Sequence, residues 1–444
     1  MERCSVLVVG AGLAGLSAAY HLRQSGLTDI IVIEAEDRPG GWAKTDWTGD
    51  WGADRAIHVL YFRDPLMHAW VHELLGGAWH EHVKRSVVNS GGVTTPFPFH
   101  ANLHGRPPEV VMQCLDGVWD AARARSNGAP PPLTFADWIA LAQGAGVAKH
   151  FMNPYNTKQW TVPPTEMGWD WMGDFVPEPE PRRILEGALR PATGAIGRNA
   201  TFHYATRGAS DLADALAARA GPVRPGTALT ALRPLERLAL LGDGSSVAYD
   251  ALVSTIPLKS LGALLAPLPE PECAAWRRLE SIDLLLADVG FRDPEPGGVH
   301  WAYLPDADVL PYRLHVAHEL SPHMVPPGHG LYCLEISHSR HRPLPEGDLR
   351  ERLVGDLVRT GWLRTPGQVV FYRERRFECS YVLPRVGFRR DAQTLSRHAS
   401  ELGIHSVGRY GEWKYCNQED ALLDGKRIAE CLASGARGCS RAVE

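Results

Sequence analysis

The chain has 444 residues, 44% of them hydrophobic and 22% charged, with a formal net charge of −5. That length exceeds what one hydrophobic core usually supports, so two or more domains are expected. The charge balance offers no basic surface for nucleic acid, and no apolar run approaches the roughly 18 residues of a membrane span.

The first apolar run begins at residue 6, which leaves no room for a secretion signal and predicts a cytoplasmic location. Eight cysteines are scattered without C-x-x-C spacing, so free thiols are expected rather than disulfides or a zinc site. No His, Asp or Glu group has ligand spacing, so no metal is expected; the turn 337–342 (Ser-His-Ser-Arg-His-Arg) reads as a solvated basic loop.

Residues 6–9 form an apolar run of strand length that meets Gly10-x-Gly12-x-x-Gly15, and an Ala/Leu-rich helical pattern follows. Gly10 permits a tight strand-to-helix turn, Gly12 lets the backbone approach a pyrophosphate, and Gly15 lets helix and strand pack closely. A second apolar run, 30–33, ends in Glu34, where the acid that binds a ribose hydroxyl belongs. The pattern predicts a dinucleotide site. Gly40-Gly41 then closes the first β-α-β unit with a ligand-wrapping turn, common in FAD enzymes and unnecessary for nicotinamide, so FAD is favoured over NAD.

Further along, residues 50–64 read as a loop leading into a strand. Residues 107–126 and 135–150 have helical spacing, broken by Pro130-Pro131-Pro132. Residues 151–181, dense in aromatics and prolines, suggest an irregular packed wall. A helix is predicted over 208–220, short strands over 223–233, and a buried strand over 248–257 that returns to the nucleotide-binding sheet. Runs at 284–291, 331–336 and 369–372 predict an antiparallel sheet flooring a substrate pocket. The tail reads as strand, loop and helix start, with helical spacing over 421–432.

The fold class expected is α/β: a discontinuous Rossmann-like FAD-binding domain (1–100, 196–270 and 386–444) with a helical, aromatic-rich insert (101–195) and an antiparallel-sheet substrate domain (271–385).

An ordered set of motifs spans almost the whole chain: 151–167 (Phe-Met-Asn-Pro-Tyr-Asn-Thr-Lys-Gln-Trp-Thr-Val-Pro-Pro-Thr-Glu-Met), 197–202 (Gly-Arg-Asn-Ala-Thr-Phe), Trp301-x-Tyr303-x-Pro305 through Tyr312-Arg313, and 408–415 (Gly-Arg-Tyr-Gly-Glu-Trp-Lys-Tyr) with Asn417-Gln418. On these the chain resembles the UDP-galactopyranose mutase family, eukaryotic-type and related bacterial members, within the amine-oxidase-like FAD superfamily. The resemblance implies non-redox chemistry in which N5 of reduced FAD attacks the anomeric carbon of a nucleotide sugar and expels the nucleotide. The sugar then reopens, recloses as the furanose and is recaptured by the nucleotide. NADPH or NADH is implied as reductant, a nucleotide sugar as the ligand, and a homo-oligomer is left open.

The resemblance places His58 beside the flavin N5 edge, and Arg313 on the diphosphate with Tyr381 and Tyr415. It places Arg409 near flavin and sugar, Gly408 and Asn417-Gln418 at the flavin-binding C-terminal helix, Tyr303 and Trp160 on the sugar–flavin pocket, and Tyr155, Asn156 and Asn199 on its wall. Each aromatic is equally suited to core packing.

Three departures bear on the substrate. Phe175 stands where the family has its second diphosphate arginine, with Arg182 and Arg183 nearby as stand-ins. Phe97 and His100 stand where a tyrosine and a glutamine help read uracil. Ala56-Ile57 replaces a Gly-Gly before the histidine, which would restrict the loop when the flavin is reduced. The sugar nucleotide therefore need not be UDP-galactose. An oxidase or desaturase of the amine-oxidase type is the alternative that the aromatic wall favours, and a flavin-binding protein without turnover is a third.

Overall fold

A computed structural model describes residues 2–172, 180–191, 200–295 and 297–435. Two seven-stranded sheets organise them. In the first, Glu2–Val9 lies between Ser246–Ser254 and Ile30–Ile33, parallel to both, and Ile404–Ser406 pairs in parallel with Ser246–Ser254. Parallel strands of this kind are covered on both faces, which is why all four residues of Ile30–Ile33 are apolar and buried. Leu229–Arg233 and Leu238–Leu241 extend the sheet at one edge and Val223–Arg224 at the other. Segments from the two ends and the middle of the chain thus build one nucleotide-binding layer.

Helix Leu13–Gln24 follows the first strand, and the C-terminal helix Gln418–Ala433 packs against it so closely that a Cβ on Gly425 would lie 2.3 Å from the carbonyl oxygen of Ala14.

The second sheet runs Val369–Leu383, Glu280–Arg292, His329–His338, Arg313–Val316, Trp301–Tyr303, Ser86–Ser90 and Val93–Pro96. Its strand Glu280–Arg292, second in that order, shows the period-two pattern of a sheet covered on both sides: Leu285, Ala287, Val289 and Phe291 pack under helix Leu349–Arg359, whereas Ile282, Leu284 and Leu286 join the larger core on the other face. Asp288, on that second face, is buried and held by Arg373 and Arg375.

Several expectations change. Ser86–Ser90 and Val93–Pro96 extend the second sheet, because Ser86–Ser90 pairs in parallel with Trp301–Tyr303; the sheet is therefore mixed rather than purely antiparallel and is not confined to 271–385. The strand near residue 50, Trp51–Asp54, precedes its loop and forms a hairpin with Thr45–Thr48. The expected irregular wall begins helical: a π-turn, Ala148–Met152, runs directly into helix Asn153–Trp160, with Pro154 at their junction. The helical stretch 135–150 is broken: Phe135–Gln143 starts on a Thr134–Asp137 capping box and stops at Gly144. Cys431 is disulfide-bonded, against the expectation of free thiols, while Cys4, Cys114, Cys273, Cys333, Cys379 and Cys416 are free.

Among the described residues no helix is long and apolar enough to cross a membrane, and no group of His, Cys, Asp or Glu could hold a metal ion.

Candidate functional site

A cavity of about 950 Å³ runs between the two sheets. Its first end is built by backbone. Gly10 has φ +97°, a conformation that side chains disfavour, and turns the chain from strand into helix. A Cβ on Gly15 would sit 2.0 Å from the Gly10 carbonyl oxygen, so this glycine serves close packing and stands behind the cavity rather than on it. Gly12 caps helix Leu13–Gln24 with no side-chain bond, and it bridges Gly40 across the turn, so the first N–H groups of the helix stand beside the cavity.

Glu34 lines the same end; its two carboxylate oxygens accept the Ala11 N–H at 2.8 Å and the Glu36 N–H at 2.9 Å, which pins the acid in place. Gly41 and Gly408 complete this wall. Asn417 and Gln418 also line the cavity, but both side chains are engaged in the protein. The Asn417 Oδ1 accepts the Asp420 N–H at 2.9 Å in a capping box, and the Gln418 amide donates to the Val59 carbonyl at 3.2 Å.

The other end is built by side chains. His58 is on the cavity wall with Nδ1 3.2 Å from the Ala56 carbonyl, so Nδ1 carries the proton and Nε2 is the free acceptor. Burial pulls its pKa down, which keeps the ring neutral. The preceding Ala56 has φ +62°, the left-handed region that a glycine would occupy without strain.

Arg313 lines the cavity as well, yet its Nε and Nη2 donate to Glu335 at 2.9 and 2.6 Å, leaving the Nη1 edge for a ligand. Burial opposes ionisation of Glu335, but Arg313 and the donors around it outweigh that and hold the carboxyl at about 2. Tyr312 donates to the same carboxylate from behind. This pair is internally neutral.

Arg409 is not. It is half-buried, its Nη1 donates to the Cys416 carbonyl at 3.1 Å, and its Nε and Nη2, shut off from solvent, have no partner among the described residues. Its guanidinium carbon lies 5.0 Å from the Tyr381 ring centroid and 4.8 Å from that of Tyr415. A buried guanidinium without a carboxylate is costly unless a ligand supplies the anion.

The remaining expected residues divide. Phe97 and Tyr303 line the cavity with ring centroids 4.7 Å apart. Tyr155 and Trp160 stand one layer behind: Tyr155 meets Tyr303 edge-on at 5.3 Å, and Trp160 meets Tyr381 and Tyr415 edge-on, both at 5.9 Å. Asn156 turns its amide back onto the Met152 carbonyl at 2.7 Å. His100 is buried beside Gln143, and burial pulls its imidazole down to about 4; it does not reach the cavity.

Phe175 and Asn199 lie outside the described residues. Arg182 and Arg183 are exposed, paired with Glu186 and Glu180, and neither lines the cavity, so as candidate replacements for the missing arginine they are set aside.

Tyr61 and Lys84 are among the lining residues that escaped sequence reasoning. Tyr61 is one turn of loop beyond His58, and Lys84 puts its ammonium 5.8 Å from the Phe97 ring centroid. A single lysine ahead of a strand carries no sequence signal; only the pairing of Ser86–Ser90 with Trp301–Tyr303 brings it here.

The residues present fit a flavin dinucleotide: an approach free of side chains at Gly12 and Gly41, a pinned acid at Glu34, and an unpaired cation. A model of the flavin containing amine oxidoreductase family matches residues 13–433. The crystal structure of reduced UDP-galactopyranose mutase superposes with a TM-score of 0.91 at 25% identity, covering 98% of this chain and 95% of that one. Wild-type putrescine oxidase bound to putrescine superposes with a TM-score of 0.65 at 16% identity, covering 97% of this chain and 99% of that one, a likeness of fold alone. The 15-cis-phytoene desaturase of Glycine max is 30% identical over 167 residues, 35% of this chain and 26% of its own length. The alignments take in about a quarter or less of the length of these curated relatives. FAD is the dinucleotide that this cradle takes, and the chain belongs to the flavin containing amine oxidoreductase family.

Proposed function

We propose that the protein is an FAD-dependent mutase that interconverts the pyranose and furanose forms of a nucleotide-activated sugar, kept active by a reduced nicotinamide nucleotide as external reductant. The observation that carries this reading is Arg409, a half-buried cation that lines the cavity and has no carboxylate partner among the described residues. Such a group calls for an anion such as a diphosphate, and it would repel a protonated amine. The likeness to reduced UDP-galactopyranose mutase over nearly the whole chain supports it.

Bound reduced FAD supplies the nucleophile, its N5, for displacement of the nucleotide at the anomeric carbon. The side chains hold the group that leaves and returns. Arg409 and the phenols of Tyr381 and Tyr415 donate to the diphosphate as its charge develops, and burial keeps the Tyr415 phenol protonated for that task. Arg313, immobilised by Glu335, offers its Nη1 edge. His58 offers a neutral Nε2 to the hydroxyl proton released as the ring recloses. Trp301, Tyr303 and Phe97 form an aromatic wall that limits water.

That same wall favours the second reading, a flavin oxidase or desaturase acting on an apolar molecule. Anaerobic incubation of dithionite-reduced holoprotein with a panel of nucleotide hexoses, deoxyhexoses and pentoses separates the two. A new isomer of unchanged mass, formed only by reduced protein, is the expected result; peroxide made in air from some other compound, with no sugar converted, would replace the mutase with the oxidase.

A further inference from the structure

Tyr303 and Arg313, both on the cavity, stand at the two ends of the loop 304–312. Lys158, on helix Asn153–Trp160, lies beneath that loop and is only 4% exposed. Its Nζ donates to three carbonyls: Leu304 at 2.5 Å, Asp306 at 2.9 Å and Pro311 at 2.7 Å. An ammonium has three N–H donors, so the match is complete, and no carboxylate forms an ion pair with it among the described residues.

A buried lysine is a costly way to fasten a loop unless its position matters. The same helix touches the cavity wall elsewhere, through Tyr155 on Tyr303 and Trp160 on Tyr381 and Tyr415. Its exit is tied to the turn after His329–His338: Arg342 donates to the Lys158 carbonyl at 3.1 Å, and Thr161 bonds Ser339 at 2.7 Å.

We infer that Lys158 is a positioning residue for the ligand end of the cavity: its ammonium fastens the 304–312 loop to helix Asn153–Trp160 and thereby sets where Tyr303 and Arg313 stand. The identity of the ligand rests on the function proposed above, whereas the attachment of the loop does not. Burial pulls the Lys158 ammonium down to about 7, Arg342 pushes the same way, and Asp306, Asp356 and Asp308 oppose it. A neutral amine keeps two donors for three carbonyls, so the loop loosens as pH rises through that value.

The test is amide hydrogen exchange on the FAD-loaded full chain, wild type against Lys158→Met. The amides of Leu304, Val309 and Tyr312, each bonded to a carbonyl, report the loop. In the variant they should exchange about tenfold faster while Glu280–Arg292 and the flavin content are unchanged, and the dissociation constant for UDP, used as the probe, should rise about tenfold. Unchanged exchange over 304–312, or a rise spread equally over the whole sheet, would overturn the inference. Should the variant give no soluble holoprotein, wild-type exchange decides. Corrected for base catalysis, it should rise in this loop alone between about pH 6 and about pH 9, and a flat ratio to the neighbouring strands would sink the idea. If wild-type protein binds none of UDP, GDP, ADP and dTDP, the proposed function fails, and the exchange comparison still judges Lys158.

Discussion

The two ends of the cavity use opposite materials. At the dinucleotide end the chain offers glycines, helix N–H groups and one pinned acid, with few side chains in the way. At the ligand end it offers charged and aromatic side chains, most of them locked by neighbours: Arg313 by Glu335, His58 by the Ala56 carbonyl, the 304–312 loop by Lys158. Arg409 stands between these styles, a side chain without an anionic partner among the described residues. An end built from backbone accepts one ligand shape and tolerates no added atoms. An end built from side chains can be retuned residue by residue, and there the departure at Phe97 falls.

The harshest way to break the backbone end is Gly15→Val. Its Cβ alone would meet the Gly10 carbonyl oxygen at 2.0 Å, so overpacking should cost about 3 kcal/mol or more and purification should yield little flavin-loaded protein. Flavin content per chain measures it, and a yellow, stable variant would show that the turn is softer than described.

At the ligand end, Glu335→Gln should cost about 3–5 kcal/mol by stranding the buried Arg313 charge, read as a lowered midpoint in urea. The same pair gives the wild type a pH signature. The Glu335 carboxyl is held at about 2 against an ordinary 4.5, so its stabilisation, about 3 kcal/mol, is complete above pH 4.5 and is lost as pH falls from there towards 2. In Glu335→Gln that stretch of the acid unfolding curve should flatten.

Arg409→Met reverses the logic. No internal anion is stranded, so the midpoint should hold or rise, while binding of UDP weakens by about 1.5–3 kcal/mol, on the order of ten- to a hundredfold. Calorimetric titration reads the affinity, and unchanged affinity would mean that the cation serves the fold. The smallest effect is at the junction of the two ends. Ala56→Gly should relieve the left-handed strain at φ +62° and shift stability by about 1 kcal/mol at most, the gain being offset by glycine's unfolded-state entropy; thermal unfolding checks it.

The backbone end was legible in the sequence because its signals are local. The triplet Gly10, Gly12 and Gly15, the apolar run 30–33 and Glu34 fall within one β-α-β unit, and each has a mechanical reason that a reader can apply without a fold. The ligand end was legible only through resemblance, since Arg313, Tyr381 and Arg409 come together through pairing across the chain. What was missed is non-local or dual in use. Lys84 reaches the cavity only because Ser86–Ser90 pairs with Trp301–Tyr303, and Asn417 looks like a ligand group yet caps its own helix. Arg182 and Arg183 were attractive by sequence proximity, but their helix turns them to solvent and to Glu186 and Glu180.

The most direct measurement follows the flavin through turnover. Reduced holoprotein is given an excess of a nucleotide sugar without oxygen, and the flavin's visible absorbance is recorded while the sugar isomers are counted. Many equivalents of isomer per flavin are expected, with the flavin still reduced at the end. Product formed in step with flavin reoxidation, one equivalent for each flavin and then none, would contradict it.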